Sequence, residues 1–172
     1  MPAAAAVQIE LTLVGLEGEL RSNALASLQL EERRRRTGLK AATIEELFAA
    51  GDREIATALE PFGYYQPVIE SRLVPPAAGG QTWRAEYNVD PGPPLAIGRL
   101  CIDVDGAGCD AVAGVTALAH TSLREGQTLD HRRYEAAKQT LINAVVAEGF
   151  LDAGYREHRV VVDLDAYTAT VY

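Results

Sequence analysis

One local pattern occurs twice in this chain. Phe62-Gly63-Tyr64-Tyr65 closes a helical periodicity and opens a strand periodicity, and Glu148-Gly149-Phe150-Leu151 does the same. Half of the 172-residue chain separates the two glycines. A glycine after a helix supplies the left-handed residue that ends it, a conformation other residues adopt reluctantly. Repetition of a helix-Gly-aromatic-strand junction predicts two copies of one small domain. Such a chain suits a modular binding array better than an enzyme built around one cleft. Gly63, Tyr64, Tyr65, Gly149 and Phe150 read as structural residues, with the aromatics folding back over the helix ends into the core.

The periodicities on either side of the junctions give the order of elements. Val7, Ile9, Leu11 and Leu13 alternate with Gln8, Glu10 and Thr12, as in a half-buried strand. A helical stretch follows from about Ser22, a candidate N-cap, and Thr37-Gly38-Leu39 interrupts it. A longer helix is expected from Thr43 to Pro61 on Ile44, Leu47, Phe48, Ile55, Leu59 and Phe62. Thr43 and Glu46 have capping-box spacing, Gly51-Asp52 is a candidate break with Asp52 capping a second segment, and Pro61 and Gly63 end the helix. Strands are expected over Tyr65–Val74 and Gln81–Val89, the second with Trp83, Ala85, Tyr87 and Val89 on one face. Pro67 favours an edge position for the first of these.

Pro91-Gly92-Pro93-Pro94 is a stiff connection, and the plan then repeats. A strand over Ile97–Val104 and a short helix over Asp110–Ala119 lead to Asp130, an expected N-cap. The helix His131–Glu148 places Tyr134, Ala137, Leu141, Ile142 and Val145 on one face, and strands follow at about Gly154–Asp163 and Tyr167–Tyr172. The predicted fold class is therefore α+β: two tandem β-α-α-β-β modules, residues 7–90 and 91–172. Each would be a three-stranded sheet with two helices on one face. The second and third strands should form an antiparallel hairpin, with the first strand pairing to the third. The second strand of each module, about Pro67–Val74 and Tyr155–Val162, then lies at a sheet edge.

Charge narrows the function. The chain has 16 Lys and Arg against 24 Asp and Glu, a net charge of −8, and each half carries −4. Neither half is a basic phosphate-tracking module, so a nucleic-acid-binding α+β array is the less favoured reading. The basic run Arg33–Arg36 reads as a solvated face ahead of a lipid-headgroup or nucleic-acid patch. No segment approaches the ~20 apolar residues of a membrane span. The start, Met1-Pro2-Ala3-Ala4-Ala5-Ala6, lacks the charged and apolar regions of a signal peptide and suggests a piece of a longer protein.

No constellation of catalytic residues stands out. His120, His131 and His158 fall in separate elements without metal-ligand spacing. Asp103-Val104-Asp105-Gly106 resembles the start of a calcium loop but lacks its later acidic ligands, and Asp163 and Asp165 fit a hairpin turn. Cys101 and Cys109 allow a disulfide, two free thiols or half a metal site, the last being poorly supported without further cysteines. The expectation is a protein that is not an enzyme and holds no cofactor or metal. What it offers is backbone: an edge strand presents unpaired N–H and C=O groups to an incoming extended segment. The candidate binding edges are Val68, Ile69, Glu70, Ser71, Arg72 and Leu73 in the first module, and Arg156, Glu157, His158, Arg159 and Val160 in the second.

Three segments carry a family resemblance. Ala58-Leu59-Glu60-Pro61-Phe62-Gly63-Tyr64-Tyr65-Gln66-Pro67, Val146-Ala147-Glu148-Gly149-Phe150-Leu151 and the connection Val89-Asp90-Pro91-Gly92-Pro93-Pro94 resemble the POTRA (polypeptide-transport-associated) domains of the outer-membrane assembly superfamily. The likeness is greatest to the periplasmic arm of the TamA family, the translocation and assembly module. The resemblance implies two POTRA-like modules with mixed sheets in a periplasmic location, as part of an outer-membrane protein. It implies a scaffold or chaperone-like role in outer-membrane protein assembly. The implied partners are unfolded or nascent outer-membrane and autotransporter proteins, a TamB-like inner-membrane partner, and the C-terminal barrel of the same full-length protein. The arm of a two-partner secretion transporter or of a cell-division protein is the alternative within the same superfamily. A further module and a membrane β-barrel, which the resemblance implies downstream, are absent from this sequence.

Overall fold

The computed structural model of the chain describes residues 7–36, 38–103 and 121–172. Contacts divide it into two units, Met1–Glu60 with Tyr64–Pro93, and Pro61–Gly63 with Pro94–Tyr172. The first unit begins with β1 (Gln8–Val14), α1 (Gly18–Ser27), α2 (Gln29–Arg33) and α3 (Ala41–Leu59). A 3-10 turn over Glu60–Phe62 leads from α3 toward β2 (Val68–Val74) and β3 (Thr82–Asp90). β3 is the centre of a mixed sheet, parallel to β1 and antiparallel to β2. Ile9, Leu13, Trp83, Ala85, Tyr87 and Val89 turn to the helices and are buried, as the period-two pattern requires. They meet Ile44, Leu47, Ile55, Ala58 and Leu59 of α3 in one core. Burying one such side chain contributes about 1.5–3 kcal/mol, so this shared face dominates the stability of the unit.

The helical region differs from the sequence expectation in four places. The first helix begins at Gly18 after Glu17 at the N-cap, so Ser22 lies inside it and its Oγ donates to the Gly18 carbonyl at 3.0 Å. That helix is also divided in two at Leu28, whose backbone is extended and whose side chain is buried with Leu30. The gain from burying both leucines outweighs helix continuity at this point. The long helix starts at Ala41 with Lys40 at the N-cap, so Thr43 lies in its first turn and forms no capping box. Finally, Gly51-Asp52 does not break α3. Gly51 is there because the Tyr87 ring lies against it: a Cβ at this position would collide with the Tyr87 hydroxyl. The hydroxyl passes the helix and donates to the Phe48 carbonyl at 3.2 Å, with the Phe48 ring 5.1 Å from that of Tyr87. Burial, with the negative charges of Asp52 and Glu54, pushes the Tyr87 phenol well above its ordinary pKa, so it remains a neutral donor.

The second unit contains β4 (Ala96–Leu100), α4 (His131–Ala147), β5 (Val160–Asp163) and β6 (Thr168–Val171). β6 lies between β4, to which it is parallel, and β5, to which it is antiparallel. This is the topology of the first sheet, so the duplication read from the two glycines extends to strand order. The expected helix Asp110–Ala119 lies outside the described residues. Asp130 is the N-cap of α4, accepting from the amides of Arg132 at 2.9 Å and Arg133 at 3.3 Å. Tyr134 and Ala137 are buried, whereas Leu141, Ile142 and Val145 are half-buried. Asp163 builds the β5–β6 turn by accepting from the amides of Asp165 and Ala166. Cys101 is buried and disulfide-bonded, which removes the free-thiol and metal-ligand alternatives for it, and Cys109 lies outside the described residues.

Both glycine junctions have the left-handed backbone expected, with φ of 88° at Gly63 and 102° at Gly149. In each, the amide after the glycine reaches back to the helix: Tyr64 to the Leu59 carbonyl and Phe150 to the Val145 carbonyl, both at 3.3 Å. These are the 6→1 bonds of a Schellman cap, and Gly149 adds the accompanying bond to Val146 at 3.0 Å. The aromatics behave differently. Tyr64 packs against the core of its unit and Tyr65 is half-buried. Phe150 does not fold into the core and is 63% exposed, with Leu151 at 79%. The cap fixes the backbone path, but a side chain is buried only where a neighbour leaves it a cavity.

Two outcomes follow from these packing details. Gly51→Ala, which improves helix propensity, is expected to destabilise the chain by about 1–3 kcal/mol through the Tyr87 collision. Adding Tyr87→Phe should recover part of the loss; both are read from denaturant unfolding midpoints. Asp130→Ala should cost about 1 kcal/mol, whereas Asp130→Asn retains the cap. Burial opposes ionisation of Asp130, but the hydrogen bonds from Arg132 and Arg133 prevail and hold its pKa below the ordinary 3.8. The charge contribution is therefore complete above pH 3.8 and lost as pH falls below it, so the wild-type advantage over Asp130→Asn should shrink there in a pH series of unfolding midpoints.

Candidate functional site

The sheet order leaves β2 at an edge. All of Val68, Ile69, Glu70, Ser71, Arg72 and Leu73 lie in this strand, paired with β3 from Val68↔Asp90 to Val74↔Arg84. Among the described residues, no backbone group of Val68–Val74 forms a backbone hydrogen bond outside the β2–β3 ladder. The strand begins at Val68 rather than Tyr65, just after Pro67, which has no N–H to give to a ladder, and Pro75 follows its last residue. Two prolines thus bracket seven residues of open edge.

Side chains hold this strand to the unit from one side only. Ile69 and Leu73 pack against the core. Between them, the Ser71 hydroxyl donates to Asp52 Oδ2 of α3 at 3.1 Å. The other Asp52 oxygen is buried without a hydrogen-bond partner. The opposite face of the sheet is wet. Glu10 and Arg84 pair at 3.0 Å with both side chains 63% exposed, a contact contributing at most about 1 kcal/mol. Glu70 accepts from Asn88 at 3.5 Å, and Arg72 stands opposite Glu86 in the register. Thr12, Val14, Glu70, Arg72, Glu86 and Asn88 line a shallow hollow on this face. An extended segment added beside β2 would find charged groups of both signs on the wet side, and Val68, 61% exposed, at the first position of the strand.

The second expected edge is shorter. β5 begins at Val160, so Arg156, Glu157, His158 and Arg159 precede the strand. Arg159 is held to the sheet end by two backbone bonds with Tyr172, at 2.9 and 3.2 Å, and its guanidinium lies 4.6 Å from the Tyr172 ring. Arg156–His158 are not part of the ladder. Around them, Tyr155 donates to the Lys138 carbonyl at 2.9 Å and stands edge-on to His158, and Glu157 pairs with Arg159 at 3.1 Å. At the other side of that sheet, the chain itself occupies part of the β4 edge: Ile97 donates to Gln127 at 2.8 Å, and Leu129 donates to Leu95 at 2.8 Å. Among the described residues, no group of three or more His, Cys, Asp or Glu side chains is arranged to hold a metal ion.

Residues 10–91 match the family model for the POTRA domain, TamA domain 1. Over that segment the chain resembles a TamA-like POTRA domain. The matched segment contains all of the β1-β3-β2 sheet except the first two residues of β1. Among solved structures, the chain is similar to POTRA domains 3–5 of BamA from Haemophilus influenzae, with 15% identity and a TM-score of 0.43. That match covers 96% of this chain and 59% of the other. It is also similar to POTRA domains 1–2 of the periplasmic domain of Omp85 from Anabaena, with 14% identity, coverage of 96% and 93%, and a TM-score of 0.45. For BamA from Haemophilus ducreyi lacking POTRA domains 1–3, the figures are 15% identity, coverage of 95% and 28%, and a TM-score of 0.42.

Sequence reasoning placed β2 at a sheet edge, where the structure has it, but missed its tether. Ser71 and Asp52 are far apart in sequence, and neither alternation nor helical periodicity links them. Ser71→Ala removes the bond, and hydrogen exchange of the β2 amides that bond β3 should accelerate by about fivefold, as for loss of roughly 1 kcal/mol of local protection.

Proposed function

We propose that this chain is a non-enzymatic periplasmic scaffold, part of an outer-membrane protein assembly factor, that binds polypeptides by adding them to the open β2 edge. The observation carrying this reading is the seven-residue free edge between Pro67 and Pro75 within a TamA-like POTRA domain. Backbone groups recognise an extended segment whatever its side chains, which suits a factor serving many unfolded β-rich clients. The client class is unfolded or nascent outer-membrane and autotransporter protein. A TamB-like inner-membrane partner and the barrel of the full-length protein are the proposed neighbours. No helix among the described residues is long and apolar enough to cross a membrane. The working division is two POTRA-like modules, residues 7–90 and 91–172. The edge of the first leads in binding, because β2 offers seven residues and β5 four.

Backbone parity gives a sharp test. Successive residues of an antiparallel strand alternate between pointing their N–H at the partner and away from it. Of Ser71 and Arg72, one therefore bonds β3 and the other faces outward. Proline at the inward position should lower the unfolding midpoint. Proline at the outward position should leave the midpoint near wild type and weaken binding of a urea-unfolded outer-membrane barrel protein by about tenfold, the loss of roughly one main-chain bond with its flanking contacts. Equal affinity for wild type and the stable proline variant, measured by fluorescence anisotropy on dilution from urea, would overturn the edge-addition reading.

A further inference from the structure

The acidic chain concentrates its positive charge in one place. Five of its 16 cationic residues, Arg33, Arg34, Arg35, Arg36 and Lys40, fall within residues 29–40, against two of its 24 acidic ones, Glu31 and Glu32. The segment thus has a local excess of three positive charges in a chain of net charge −8. Internal pairing uses only part of it. Arg34 pairs with Glu31 at 2.7 Å, and Arg36 reaches Glu32 at 3.8 Å with its side chain 65% exposed. Among the described residues, no ion pair reaches the side chains of Arg33, Arg35 or Lys40.

The fold anchors this cluster from both sides. Leu30 is fully buried, and Leu39 packs against the core. Between these anchors Arg35, Arg36 and Lys40 are exposed, while Arg33 and Arg34 are half-buried. The core of unit 1 does not need four consecutive arginines at such a turn, and the two carboxylates do not neutralise them.

We propose that the cation cluster of Arg33, Arg34, Arg35, Arg36 and Lys40 is a docking surface for an anionic phospholipid bilayer. Charge complementarity supplies the attraction, and the form of the patch selects the partner. None of the exposed large hydrophobic side chains of the described residues lies in this segment, so it lacks the apolar anchor around which protein interfaces concentrate their affinity. A headgroup surface needs no anchor: its attraction sums over cations near the membrane and decays within a Debye length, about 8 Å at 0.15 M salt. Guanidinium groups add bidentate bonds to phosphate oxygens. The proposal is independent of strand addition at β2, since the two use different elements.

The test is co-flotation of the chain with vesicles of mixed phosphatidylglycerol and phosphatidylethanolamine, compared with phosphatidylcholine alone. Binding should appear only on the anionic vesicles and fade on raising salt to 0.5 M, a concentration chosen to shorten the screening length to about 4 Å. The triple variant Arg33→Gln, Arg35→Gln, Lys40→Gln should lose about tenfold or more in partitioning with an unchanged circular dichroism spectrum. Arg33→Lys with Arg35→Lys keeps the charge and should still float. Failure of the wild-type chain to float at low salt would overturn the proposal, as would flotation that survives the triple substitution. Binding to polyglutamate with no binding to vesicles would also overturn it and reassign the patch to an acidic polypeptide.

Discussion

The contact of Tyr87 with Gly51 fixes how the long helix lies on the first sheet. Tyr87 is on the central strand, and its hydroxyl must pass α3 to reach the Phe48 carbonyl. Only a residue without a side chain at position 51 lets helix and strand approach this closely. The apolar stripe of α3 then meets the inner face of the sheet, with Ile55 and Leu59 fully buried. Asp52 is the next residue along, so the same placement brings its carboxylate to Ser71. The strand that carries the candidate function is thus positioned through a glycine–tyrosine contact on its neighbour.

Strand order does the rest. With β3 between β1 and β2, the hairpin partner of β3 is necessarily an edge. Natural sheets protect exposed edges with prolines, charges or a covering segment. Here prolines stand at both ends of β2 and charges on its wet face, but the backbone between them is left open. The two sheets share one topology, yet their edges are finished differently. In the second, Tyr155 bonds Lys138 of α4 and Arg159 bonds Tyr172 ahead of the four-residue β5, and Gln127–Leu129 bond to the Leu95–Ile97 stretch at the start of β4. A duplicated fold therefore need not mean a duplicated binding site.

Much of the architecture was legible because it rests on local periodicity. Alternation in Trp83–Val89 identified the buried face of the central strand, and Gly63 and Gly149 announced the Schellman caps that end the helices. Asp130 was recognisable as a cap from its position before an apolar period. Errors arose where a local signal had a nonlocal cause. Gly51-Asp52 looks like a helix break in one dimension and is a packing notch in three. Ser22 and Thr43 have cap chemistry, but the helices begin upstream of them, at Gly18 and Ala41. Phe150 repeats the sequence position of Tyr64 without repeating its burial.

By itself, the sequence determined the types of the described elements, the repeated strand order, the glycine caps at Gly63 and Gly149, and the acidic balance broken by one arginine run. Each depends on residues close in the chain, where dihedral preference and side-chain period act directly. Only the tertiary structure decided which strand edge remains open, why a glycine occupies the middle of α3, and that Ser71 is tied to Asp52. Those features come from surfaces brought together across long stretches of chain, and the free energy that selects them is the burial of those surfaces against one another.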